Sequence, residues 1–197
     1  MNTKEHKQEL LNKLYAPYAK CMECPLSKQG RTNVVFGEGN PDASIMFIGE
    51  APGQEEDRLA RPFVGRSGKL LNKILELAEI KRADTFITNV VKCRPPSNRK
   101  PTEIESSTCT KLLLFDQIKI INPKVICTLG ASALQGLLGD YAIKISQVRG
   151  KPIIATRLPG YIIVPTYHPA YILRNPKELT TMFEDIRKAQ EISIKQP

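Results

Sequence analysis

Ser44-Ile45-Met46-Phe47-Ile48-Gly49-Glu50-Ala51-Pro52-Gly53-Gln54-Glu55-Glu56-Asp57 decides how the rest of this chain is read. Its apolar run is too short for a helix and stops at Gly49, where Gly, Pro and carboxylates take over, the pattern of a buried strand emptying into a polar loop. In open parallel sheets, ligands bind beyond the carboxyl ends of the strands, so this loop is the first candidate for a site.

The same grammar recurs downstream. Thr85 to Val91, Val125 to Gly130, Ile153-Ile154-Ala155 and Tyr161 to Pro165 read as further strands. Between them, Leu70, Leu71, Ile74, Leu75 and Ala78 share one helical face behind Ser67, which is expected to cap that helix. Thr102 and Glu105 have capping-box spacing and predict a helix carrying Cys109 in its second turn. A short helix of small residues follows from Ala131 to Leu138, and Asn175, Pro176 and Glu178 open a last one with Leu179, Met182, Phe183 and Ile186 on its buried face. Leu10, Leu11, Leu14, Tyr15 and Tyr18 predict an N-terminal amphipathic helix interrupted near Pro17. Strands alternating with helices predict an α/β fold: a three-layer α/β/α sandwich around a mostly parallel four-stranded central sheet. The 197 residues are expected to form one domain, 1–197.

Hydrophobic residues make up 41% of the chain, and no apolar run is long enough to cross a bilayer. The N-terminal Met1-Asn2-Thr3-Lys4-Glu5-His6-Lys7 leads into an amphipathic pattern and not an apolar signal core, so a cytoplasmic (intracellular) monomer without a membrane partner is expected. A net charge of +9 points to a polyanionic partner, nucleic acid first. The segment Lys92-Cys93-Arg94-Pro95-Pro96-Ser97-Asn98-Arg99-Lys100-Pro101 is an extended cationic loop suited to a phosphate backbone. Gly65-Arg66-Ser67-Gly68-Lys69 is not a Walker A loop, because Phe63 and Leu70 stand where that motif needs Gly and Ser or Thr. Arg61-Pro62-Phe63-Val64-Gly65-Arg66 instead presents one aromatic ring between two arginines.

Five cysteines, an odd count without an export signal, argue against a disulfide framework. Cys21 and Cys24 form a C-x2-C pair, and Cys93 and Cys109 form a wider second pair. Four such thiolates can hold zinc or anchor an iron-sulfur cluster, and spacing does not choose between them. Cys127, inside an apolar run, belongs to the core.

Four motifs occur together and in order: Gly49 to Asp57, Arg61 to Gly65, Thr88-Asn89-Val90-Val91-Lys92-Cys93-Arg94-Pro95-Pro96, and His168-Pro169-Ala170-Tyr171-Ile172-Leu173-Arg174. With the four cysteines, the chain resembles the family four, iron-sulfur uracil-DNA glycosylases from Cys21 to Arg187. The resemblance implies the uracil-DNA glycosylase-like fold and a DNA-repair hydrolase that flips uracil from single- or double-stranded DNA and cuts its N-glycosidic bond. It implies a 4Fe-4S cluster on Cys21, Cys24, Cys93 and Cys109, with a structural role.

By the same resemblance, Asn89 pairs with the uracil edge and His168 donates a hydrogen bond to uracil O2. Phe63 offers a face for the flipped ring. Gly49, Glu50 and Ala51 border the base. Glu50 is expected to hold the attacking water, since Ala51 stands where better-known relatives carry an aspartate, and Glu56 is expected near uracil C5, excluding the thymine methyl. Lys92, Arg94, Arg99 and Lys100 are expected to contact DNA, and Leu173 or Arg174 to fill the gap left by the flipped base. A related branch traps its substrate through a histidine after the Cys-Arg-Pro-Pro segment; residues Ser97 to Pro101 contain none, so turnover is expected. The competing readings are a DNA-binding module with structural zinc and an enzyme acting on another damaged base, such as hypoxanthine.

Overall fold

The structure is a computed structural model describing residues 3–195; Met1, Asn2, Gln196 and Pro197, the ends of the expected 1–197 domain, lie outside the described residues. The strands are β1 (Glu38–Gly39), β2 (Ile45–Gly49), β3 (Phe86–Asn89), β4 (Val125–Leu129), β5 (Ile153–Ile154) and β6 (Ile162–Thr166). The helices are α1 (Lys4–Tyr15), α2 (Gln54–Leu59), α3 (Arg66–Leu77), α4 (Glu103–Cys109), α5 (Phe115–Ile121), α6 (Ala131–Leu138), α7 (Ile145–Val148), α8 (Pro169–Arg174) and α9 (Leu179–Lys195).

Among the described residues the strands form one sheet in the order β1-β3-β2-β4-β6-β5. Its central four, β3-β2-β4-β6, run parallel, while β1 and β5 pair antiparallel at the two edges. The expectation of a four-stranded sheet is therefore corrected to six strands in a mixed sheet: the edge β5 falls on the Ile153-Ile154-Ala155 strand, whereas β1 is two residues long and has no periodicity to read. Burial on both faces explains why the central strands read as unbroken apolar runs. Met46 and Ile48 face a core shared with Leu11, Leu114, Ile118 and Leu134, whereas Ile45 and Phe47 face Leu71, Ile74, Met182 and Ile186. Alternate residues of one strand thus serve both helical layers.

Local signals explain most boundaries. Thr102 and Glu105 make the capping box that opens α4. Cys109 ends α4, and a π-helical turn, Thr110–Leu114, joins it to α5. Cys127 is fully buried. Three boundaries depart from expectation. The acidic loop turns helical at Gln54, Gly65 and not Ser67 is the N-cap of α3, and the segment after His168 forms α8. Both α2 and α8 are six residues long, too short for an apolar stripe to announce them.

After the edge strand β1, the chain enters the parallel part of the sheet at β2, places β3 on one side, then crosses to place β4 on the other. The carboxyl end of β2 is therefore a topological switch point, where open α/β sheets have their crevice.

Candidate active site

The crevice is a cavity of about 630 Å³ lined by Glu50, Ala51, Glu56, Phe63, Asn89 and His168, with Arg66, Asn98, Tyr171 and Arg174 on its walls. That is ample for a nucleobase with part of its sugar. Its floor is Gly49. A Cβ there would lie 2.4 Å from Asn89 Oδ1 and 2.5 Å from Phe63 Cζ, so only glycine lets these two side chains meet over the end of β2. The parallel ladder continues beyond the strands through Val90 N to Gly49 O (2.9 Å) and Val91 N to Glu50 O (3.2 Å), which keeps the crevice edge from splaying.

Phe63 is buried and has φ +52°, a left-handed conformation that strains a non-glycine residue by about 1–3 kcal/mol. Two features hold it. Glu56 Oε1 accepts hydrogen bonds from Val64 N (3.0 Å) and Gly65 N (2.8 Å), and Gly68 lets α3 close on the turn, since a Cβ there would sit 2.0 Å from the Phe63 carbonyl. The ring centroid lies 5.9 Å from that of His168.

Asn89 is 1% exposed, and its Oδ1 is buried without a hydrogen-bond partner. Leaving a buried acceptor unsatisfied costs about 1–3 kcal/mol, so a donor that entered the crevice would find this atom ready to accept. His168 is the N-cap of α8, and its Nδ1 accepts a hydrogen bond from Ala170 N at 3.0 Å. That bond leaves the proton of a neutral imidazole on Nε2. Burial, with Arg174 as a second cause, pushes the His168 pKa down to about 4. The ring is therefore a neutral donor at physiological pH. The crevice brings together an orphan acceptor, a neutral donor and a buried ring.

The expected DNA contacts fare unevenly. Arg174 lines the crevice, and Leu173 beside it is 40% exposed. Arg94 bonds Asn98 and Lys100 bonds Gln135, leaving both charges without a carboxylate. Arg99 also borders the crevice, but it grips the buried Glu105 carboxylate with two nitrogens, at 2.9 and 2.7 Å, so its charge is largely neutralised within the loop. Lys92 has to be corrected. It is 1% exposed and cannot reach DNA, because its Nζ donates to Thr88 Oγ1 (2.5 Å), Asn89 O (2.7 Å) and Gln117 Oε1 (2.6 Å). A lysine in a cationic loop reads as exposed unless its distant partner Gln117 is known. Sequence reasoning also missed Asn98 and Tyr171 as crevice residues. Asn98 gave one faint signal, an asparagine in a Pro-rich turn, and it takes a left-handed φ of +54°.

Cys21, Cys24, Cys93 and Cys109 line a second, apolar cavity with Leu26, Val34, Val91, Leu112 and Leu113. Among the described residues, no three His, Cys, Asp or Glu side chains are gathered tightly enough to hold a single metal ion. The four cysteines line this one cavity, an all-sulfur donor set of the kind that zinc and iron-sulfur centres use. Burial raises the thiol pKa of Cys93 to about 12 and of Cys109 to about 11. Thiolates form in such a place only when a cationic group arrives to bind them.

Residues 36–190 match the model of the uracil DNA glycosylase superfamily. The chain is 48% identical over 192 residues to a protein of Thermotoga maritima called type-4 uracil-DNA glycosylase, covering 96% of this chain and 98% of that one. Type-4 uracil-DNA glycosylases of Sulfurisphaera tokodaii and Saccharolobus solfataricus are each 46% identical, covering 93% and 90% of this chain and 85% and 84% of theirs. The switch-point crevice and these full-length similarities agree, and the chain belongs to the uracil DNA glycosylase superfamily, in its type-4 branch.

Proposed function

We propose that this protein excises uracil from DNA, leaving an abasic site and free uracil. The observation that carries the reading is the unpartnered Asn89 Oδ1 in a crevice whose other polar ring, His168, is held as a neutral Nε2–H donor. Uracil presents an N3–H donor beside the O4 acceptor, and an asparagine amide matches that pair. Cytosine exchanges the two, so it would leave both Asn89 groups unsatisfied. Adding a methyl at C5 would bring thymine against the wall formed by Glu56 and the Phe63 turn. The target base must leave the duplex, or come from a single strand, and stack on Phe63.

Breaking the C1′–N1 bond sends its electron pair into the base. His168 Nε2–H, aimed at O2, stabilises that charge without transferring its proton. Water adds at C1′ and releases a proton, and Glu50, at the crevice edge, is the group proposed to orient it. Leu173 is the exposed apolar wedge for the vacated stack, with Arg174 at its side. Arg94 and Lys100, whose charges have no carboxylate among the described residues, would meet the phosphates, with Arg99 beside them held to Glu105. Cys21, Cys24, Cys93 and Cys109 would hold a 4Fe-4S cluster, supported by their all-sulfur donor set around one apolar space. Such a cluster would staple the N-terminal segment to the Cys93 loop and the end of α4. A monomer suffices, because one chain supplies every group named.

The test is incubation of the purified protein with uracil-, thymine- and cytosine-containing oligonucleotides followed by alkaline cleavage. Uracil-only cleavage that disappears in His168→Ala is the expected result. DNA binding without cleavage by iron-loaded protein would replace this reading with a binding module.

A further inference from the structure

Lys92 has no part in the chemistry above, yet it is one of the most completely buried large side chains in the protein. Its three ammonium N–H groups meet three acceptors, Thr88 Oγ1, Asn89 O and Gln117 Oε1, so no donor is wasted. The partners are themselves tied. Thr88 Oγ1 and Gln117 Nε2 both donate to the Phe36 carbonyl, at 2.8 and 2.9 Å, which closes a ring of hydrogen bonds joining the end of β3, α5 and the segment that precedes β1. The aliphatic stem of Lys92 lines the cysteine cavity. The residue thus stands between the two sites of the molecule.

Asn89 shows why this matters. Its Oδ1 has no protein partner, so that end of the amide is not aimed by a side-chain contact; its aim follows from where the backbone places Cα. Val90 N and Val91 N hold the chain just after Asn89 to β2, and Lys92 holds the Asn89 carbonyl itself.

We propose that Lys92 is a positioning residue for base recognition: by gripping the Asn89 carbonyl it sets the orientation of the amide that reads the base. This rests on the uracil reading of Asn89 given above. A lysine that merely filled the core would act on stability alone, and its effect on rate would multiply with that of any pocket mutation. A lysine acting through Asn89 has nothing left to act through once Asn89 is gone.

The experiment is a double-mutant cycle of Lys92→Met and Asn89→Ala under single-turnover conditions, with active fraction, thermal midpoint and iron content recorded for each protein. Lys92→Met alone is expected to lower the rate of uracil excision by about 10- to 100-fold with KM within about twofold, the cost of a small misplacement of a reacting partner. In the Asn89→Ala background the same change is expected to cost less than about threefold, a strong non-additivity. Should Lys92→Met not accumulate, Thr88→Val removes one of the three acceptors and takes its place in the cycle. Additive losses, or a rate that falls only with active fraction or iron content, would overturn the proposal. A wild-type protein that does not excise uracil, or an Asn89→Ala protein that excises it normally, would instead overturn the uracil reading on which it rests.

Discussion

At the crevice one buried acceptor, Asn89 Oδ1, is left without a partner among the described residues, and at the cysteine cavity burial holds the Cys93 and Cys109 thiols protonated. The crevice is held by backbone. Phe63, Asn89 and His168 each sit at or just past a strand end or tight turn, and the parallel ladder continues beneath them. The cysteine cavity has no such frame. Cys21 and Cys24 belong to a non-repetitive segment, Cys93 to a Pro-rich loop, and Cys109 to the end of α4, where a π-helical turn begins. The difference teaches that a preorganised site can be left empty by a sheet, whereas a site gathered from loose segments needs its occupant to hold it together.

The largest effects should break the crevice and spare the rest. Asn89→Ala and His168→Ala are each expected to lower single-turnover excision of uracil by about 10²–10³-fold, the scale for losing one preorganised transition-state partner. Circular dichroism and iron content should stay as in the wild type. Gly49→Ala sharpens the point with a single methyl that would meet both Asn89 Oδ1 and Phe63. We expect uracil affinity to fall by about 10- to 100-fold, since either the amide or the ring must move to admit it.

At the other site the balance should reverse. Cys21→Ser is expected to lower the thermal midpoint by about 6–12 °C, corresponding to about 3 kcal/mol in a domain of this size, while KM of the folded fraction stays within about twofold. A KM that rose tenfold with the midpoint unchanged would erase the contrast between the two regions.

Acid should act through the crevice. Because the folded pKa of His168 is pushed down to about 4 from its ordinary 6.5, the native state binds fewer protons than the unfolded chain between those values. The stability contribution is therefore complete above pH 6.5 and is lost as pH falls towards 4, and His168→Asn should remove that dependence from urea-unfolding midpoints measured across the range. The smallest effect should come from the cationic loop. Replacing Arg94 and Lys100 by Gln is expected to reduce the slope of log affinity against log salt by about 0.7–0.9 per lost phosphate contact, without changing the preference for uracil.

Much of this contrast was already legible in residue order. Apolar runs closing at Gly49, Val91 and Gly130 marked strands whose carboxyl ends share a rim, and a histidine just beyond another strand lies on that rim too. The Thr102 and Glu105 capping box was readable because its partners are three residues apart. Lys92 was not, because burial of a cation depends on Gln117, 25 residues away, and on a carbonyl in its own strand end. Glu56 lines the crevice, and its carboxylate is engaged by the backbone of Val64 and Gly65, a use that depends on the fold of the Phe63 turn.

The chain's own order of residues determined which segments are buried on both faces, which loops carry the chemistry, and which four sulfurs belong together, since these follow from local periodicity, composition and motif. Only the tertiary structure decided that Asn89 Oδ1 goes unpartnered, that the His168 proton sits on Nε2, that Lys92 faces inward, and that the four cysteines line one apolar cavity. Each of those depends on what distant segments bring within about 3 Å of one another, the range of a hydrogen bond, and that is the distance along which a linear sequence carries least information.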